Sequence, residues 1–149
     1  MNEMHVSNDL QYKNERFFFG NGTRMIEGVG VDVVEIQRVQ RTIDGWGSRF
    51  LNRIFTTREL SYAQSKKNPA HHFAARFAVK EAVAKALATG WSGGFRWRDI
   101  EVENDVAGKP SVVLYGQMKQ LLRASRVFVS ISHSENVVVA FALIEKPGA

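Results

Sequence analysis

Valines recur at every second position through Gly28-Val29-Gly30-Val31-Asp32-Val33. The alternation predicts a strand over residues 26–36 with Val29, Val31 and Val33 on one face. Gly28 and Gly30 flank Val29, which points to close packing or a bulge inside that strand. The pattern turns helical over 35–43, and Gly45 and Gly47 are expected to end this short helix. Trp46 and Phe50 offer apolar anchors for the turn that follows. Thr56 or Thr57 caps another helix running to Tyr62, with Glu59 in its first turn. Lys66-Lys67-Asn68-Pro69 reads as a loop. A long helix is then predicted over 70–88, ending before Gly90.

Ser92-Gly93-Gly94 marks a second loop. Residues 97–103 alternate as a strand, 104–110 have turn chemistry, and 112–115 read as the returning strand. Residues 116–123 suit a short helix. Two β-rich runs, 127–132 and 137–144, are joined by Ser132-His133-Ser134-Glu135-Asn136 as a hairpin, with His133 in its turn. The order of elements is that of an α+β fold, helices first and mostly antiparallel strands after. Residues 1–24 are polar apart from Phe17-Phe18-Phe19 and show no sustained period. They read as an N-terminal extension outside the fold, with the domain spanning 25–149; docking of the three phenylalanines as a short strand is the alternative.

A chain of 149 residues with 44% hydrophobic content suits one domain with its own core and excludes a disordered chain. Cysteine is absent, which rules out disulfides and thiolate metal sites and fits a reducing cytoplasm. No apolar run reaches the length of a membrane span, and the N-terminal residues lack a signal-peptide pattern. The net charge of +5 favours an anionic partner: a nucleic acid, a phosphorylated cofactor or an acidic protein. Arg38, Arg41, Arg49, Arg53 and Arg58 fall in one segment and suggest a basic surface.

The predicted long helix carries Arg76, Lys80, Glu81 and Lys85 among alanines. Arg76 with Lys80, and Glu81 with Lys85, are spaced to share a side of it. They read either as ordinary surface charges or as an acidic metal ligand beside cations that grip phosphate. Asp32, set among valines, is either a turn or cap residue or a cation ligand. With Glu81 it would suit magnesium, which accepts one or two protein carboxylates and completes its shell with water and phosphate oxygens. His133 between two serines is a surface residue or a phosphate contact, and 104–110 is a hairpin turn or, through Lys109, a ligand contact. His71-His72 has no metal-ligand spacing and reads as a helix start or surface pair. Neither a dinucleotide fingerprint nor a P-loop is present, and nothing orders a Ser/His/Asp triad.

Taken in order, Gly28-Val29-Gly30-Val31-Asp32-Val33-Val34-Glu35-Ile36, Phe55-Thr56-Thr57-Arg58-Glu59-Leu60, Ala75-Arg76-Phe77-Ala78-Val79-Lys80-Glu81-Ala82, Lys85-Ala86-Leu87, Gly108-Lys109-Pro110 and Ile131-Ser132-His133-Ser134 form a specific set. Over residues 25–146 the chain resembles the holo-acyl-carrier-protein synthases, the short class of 4′-phosphopantetheinyl transferases. The resemblance implies one long helix packed on a mostly antiparallel sheet, a homotrimer with sites between protomers, and a cytoplasmic role in fatty acid biosynthesis. It implies transfer of 4′-phosphopantetheine from coenzyme A to a serine of apo acyl carrier protein, dependent on Mg2+, with Asp32 and Glu81 as metal ligands. Lys85 would act with them near the pyrophosphate. Arg76, Lys80, Gly108, Lys109, Pro110, Ser132, His133 and Ser134 would contact the coenzyme. Arg38, Arg49 and Arg53 would receive the acidic carrier protein.

Val79 and Ala88 depart from the family's usual alanine and glycine but leave the charged groups in place. A small nucleic-acid-binding domain would account for the basic charge. It leaves Asp32 and Glu81 unexplained, and no helix-turn-helix, zinc finger or RNP motif is visible. A relative that only binds coenzyme A is disfavoured by the intact Asp32, Glu81 and Lys85.

Overall fold

The computed structural model describes residues 23–87, 94 and 96–148. The predicted extension up to residue 22, the three phenylalanines and the end of the long helix at residue 88 lie outside them. Strand β1 (Arg24–Glu35) starts two residues earlier than the alternation predicts, because Arg24 and Met25 pair with Pro147 and Lys146. Helix α1 (Ile36–Ile54) is far longer than the predicted short helix. Gly45 does not end it. Gly47 alone leaves helical geometry, at φ 52°, and the chain kinks there and continues. Glycine adopts that conformation without the Cβ clash other residues meet.

Helix α2 (Thr57–Gln64) begins with a capping box in which Thr56 and Glu59 satisfy each other's backbone N–H groups. Helix α3 (Pro69–Ala86) has twelve of its eighteen residues buried, so it runs through the core instead of resting on it. Its alanines make that possible, since small side chains let neighbouring backbone approach from several directions. At Trp97–Asp99 the predicted strand is replaced by a 3-10 turn. The Asp99 carboxylate accepts from the Arg96 N–H at 2.9 Å and folds the segment back. Strands β2 (Ile100–Asn104) and β3 (Pro110–Leu114) then form a separate hairpin, followed by α4 (Gly116–Leu121), β4 (Arg126–His133) and β5 (Val137–Pro147).

The main sheet has the antiparallel order β1-β5-β4, with β5 in the centre. One face packs on α3 at very close range. A Cβ on Gly30 would lie 1.9 Å from the Ala82 carbonyl oxygen, and one on Gly28 would lie 1.8 Å from that of Ala86. Only glycine admits such an approach. The alternation in β1 is therefore real, but its valines point away from the helix: Val29, Val31 and Val33 are about half exposed. Val31 stands opposite Phe141, and Phe128 extends the same apolar face on β4.

Candidate active site

The glycine contacts that seat β1 on α3 also bring Asp32 against the second half of that helix. Lys85 donates from Nζ to Asp32 Oδ1 at 2.7 Å and to the Val31 carbonyl oxygen at 3.1 Å. Glu81 stands one helical turn before Lys85, so both side chains reach the same cleft. This cleft, about 610 Å³, is lined by Asp32, Glu35, Arg38, Glu81 and Lys85, with Phe50 and Phe77 among its apolar walls. Among the described residues no group of three or more His, Cys, Asp or Glu side chains is placed to hold a metal. Two carboxylates are nonetheless enough for magnesium, whose remaining ligands come from water and phosphate. The donor set of Asp32 and Glu81 thus fits a hard divalent cation and not zinc.

A second cavity, about 190 Å³, opens where the start of α3 meets the β2–β3 turn and the end of β4. Arg76, Gly108, Pro110 and His133 line it, although they are far apart in sequence. Arg76 is buried, donates from Nη2 to Asn104 Oδ1 at 3.0 Å, and lies 4.0 Å over the Tyr62 ring. Asn104 in turn donates to the Gly108 carbonyl oxygen at 3.1 Å, which ties the hairpin turn to the arginine. His133 is the last residue of β4, paired with Val138, and not part of a turn as predicted. Its ring meets that of His71 edge-on at 4.5 Å. Burial lowers both His71 and His72 below the ordinary value of 6.5, helped by His133 at His71 and by His71, Arg76 and Lys66 at His72.

Several of the expected coenzyme contacts are not among the residues that line this cavity. Ser132 stands opposite Val139 and projects from the other face of β4, since side chains alternate along a strand. The Ser134 N–H is engaged by the Val137 carbonyl oxygen, and the Lys109 N–H donates to Asp105 Oδ1; neither residue lines the cavity. Lys80 is set apart by its burial. It is 0% exposed, lies 2.8 Å from Glu59 Oε2, and donates to the Trp97 and Ile100 carbonyl oxygens. Glu59 also accepts the N–H groups of Thr56 and Val102, both at 2.9 Å. Lys80 is thus a core cation that joins α2, α3 and the start of β2.

Arg38, Arg49 and Arg53 are exposed along α1, with Arg38 at the Asp32–Glu81 cleft. Sequence reasoning passed over Glu35 in that cleft, and Tyr62, His72 and Asn104 in the second cavity. His72 and Arg76 are four apart, a spacing that would have flagged the histidine. Tyr62 and Asn104 left no local signal. The two cavities share no lining residue, yet both draw on α3.

The profile of the 4′-phosphopantetheinyl transferase superfamily matches residues 28–142, and the chain belongs to that superfamily. Within it the resemblance is to one particular enzyme. The chain is 47% identical over 119 residues to the holo-acyl-carrier-protein synthase of Protochlamydia amoebophila, covering 80% of this chain and 98% of that one. It is 46% identical over 125 residues to the enzyme of the same name from Geotalea daltonii, covering 82% and 100%. Among solved structures, the Neisseria meningitidis holo-acyl-carrier-protein synthase superposes with a TM-score of 0.77 at 38% identity, covering 82% of this chain and all of that one. The Bacillus anthracis enzyme, in complex with CoA (3′,5′-ADP), superposes with a TM-score of 0.70 at 35% identity, covering 82% and 98%.

Proposed function

We propose that this protein is a holo-acyl-carrier-protein synthase whose transfer chemistry runs in the cleft of Asp32, Glu81 and Lys85. The enzyme moves 4′-phosphopantetheine from coenzyme A to a serine of apo acyl carrier protein. The serine Oγ attacks the phosphorus next to pantetheine, the bond from that phosphorus to the bridging oxygen breaks, and adenosine 3′,5′-bisphosphate leaves. The meeting of the Asp32 and Glu81 carboxylates with the half-exposed Lys85 and with Arg38 in one cleft supports this assignment above all. Magnesium held by Asp32 and Glu81 would supply neutralising charge at the diphosphate. Lys85, whose side chain is half exposed, can release Asp32 and turn its ammonium toward phosphate oxygens. Glu81 would be the group that accepts the serine proton, directly or through a water.

Arg76, Gly108, Pro110 and His133 form the coenzyme's nucleotide pocket in this reading, without Lys80. Arg38, Arg49 and Arg53 form the docking face for an acidic carrier protein. The separation of the two cavities on one chain and the bare valine–phenylalanine face of the sheet both favour a homotrimer. Each complete site would then combine one protomer's Asp32 cleft with its neighbour's Arg76 cavity. No described helix is long and apolar enough to cross a membrane. A cytoplasmic enzyme of fatty acid biosynthesis, with residues 1–24 as an extension to a 25–149 transferase domain, completes the proposal.

The decisive experiment is the intact mass of apo acyl carrier protein after incubation with the enzyme, coenzyme A and magnesium. The expected result is a gain of one phosphopantetheine that a chelator prevents. An unchanged mass with several carrier proteins and a folded enzyme would reject the activity.

A further inference from the structure

Arg76 is 3% exposed, and its Nε has no hydrogen-bond partner although the rest of the guanidinium is engaged. Arg76 nonetheless lines the cavity, and a guanidinium there is suited to charge-assisted hydrogen bonds with an incoming phosphate oxygen. No carboxylate lines that cavity among the described residues; its ionisable groups are Tyr62 from α2, His71, His72 and Arg76 from α3, and His133 from β4. Lys66, in the turn after α2, acts on His72 from outside. Glu59 is the carboxylate that acts on Arg76, and it is already held by Lys80. His71 touches both His72 and His133 edge-on, at 5.5 and 4.5 Å, so the imidazoles form one continuous wall.

We propose that His71 and His72 make this cavity a proton-coupled receptor for a phosphomonoester, and that they set the preference for coenzyme A over its 3′-dephospho form. The second part rests on the reading of this cavity as the coenzyme's nucleotide pocket, and takes the entering group to be the nucleotide's 3′-phosphate. Burial disfavours the protonated form of both imidazoles, and the charges of Arg76 and Lys66 add to this at His72. A phosphomonoester brings up to two negative charges, with a second pKa of about 6. Its arrival reverses the local field, so the imidazoles take up protons as it binds and gain a charge-assisted hydrogen bond each. Affinity for the phosphorylated form should therefore rise as pH falls from about 8 to 6.

Isothermal titration of the full-length protein with coenzyme A and with 3′-dephospho-coenzyme A tests this, run at several pH values in two buffers of different ionisation enthalpy. Wild type should prefer coenzyme A, with net proton uptake that is absent for the dephospho form. The double variant H71Q/H72Q should lose most of that uptake and about tenfold of the preference, the equivalent of one pH unit of linkage. Thermal unfolding establishes that the variant is folded; if it is not, H71Q alone is used and should lose part of both signals. Unchanged uptake and preference in a folded variant would overturn the proposal. A wild type that still transfers phosphopantetheine but binds both coenzymes alike at every pH would overturn it too, leaving the enzyme assignment intact. A wild type that neither binds coenzyme A nor modifies a carrier protein would overturn the enzyme assignment itself.

Discussion

Lys80 and Glu81 are neighbours in sequence with opposite environments. The lysine is sealed against Glu59, while the half-buried glutamate lines the Asp32 cleft. Burial pulls the Lys80 ammonium below its ordinary 10.5, and Glu59 is the first of the groups that hold it up. Removing one member of such a pair strands the other's charge in the core. Lys80→Ala should lower stability by about 3–5 kcal/mol in urea unfolding, and a loss below about 1 kcal/mol would deny it the joining role. Glu81→Gln should abolish transfer while the unfolding midpoint stays close to wild type; near-normal turnover would remove Glu81 from the chemistry. The sequence marks both residues as unusual, since charges on an alanine-rich helix require an explanation. It cannot separate them, because a helix buried nearly all round carries no apolar stripe from which to read an inner face.

At the scale of elements, α1 shows what local pattern conveys and what it hides. Its arginines were visible as a cluster, and they emerge exposed on one helix with no ion pair to a described residue for Arg38, Arg49 or Arg53. The length of that helix was hidden, because Gly45 and Gly47 look like terminators and only packing shows that the chain kinks and resumes. A basic face of this kind accelerates encounter with an acidic partner and does so less as salt rises. Arg38→Glu should raise the carrier-protein KM at least tenfold while changing the coenzyme A KM little, about 1.4 kcal/mol of docking energy by the usual conversion. Equal effects on the two constants in steady-state assays would reject a docking role for α1. Strand β1 teaches the complementary lesson: the glycine–valine alternation is plain, yet the glycines and not the valines mark its packed side.

For the whole molecule, the main question is how two cavities without a common residue serve one reaction. The proposed assembly through the exposed sheet face is tested most directly by mixing. If the proposed trimer forms, the Glu81→Gln and Arg76→Ala proteins should each be nearly inactive, and subunit exchange between them should restore a fraction of wild-type activity. Failure to recover any activity after verified exchange would place a complete site within one chain. Elements, family resemblance and the charged residues Asp32, Glu81 and Lys85 were legible in the sequence, because capping, alternation and helical spacing are local and leave a record in neighbouring letters. Residue environments were not. That Lys80 meets Glu59, that Ser132 turns away from His133, that His71 meets His133, and that a valine face stays uncovered all depend on contacts between segments far apart in the chain. Such contacts are settled by close packing of the whole core around α3, and only the tertiary structure decides them.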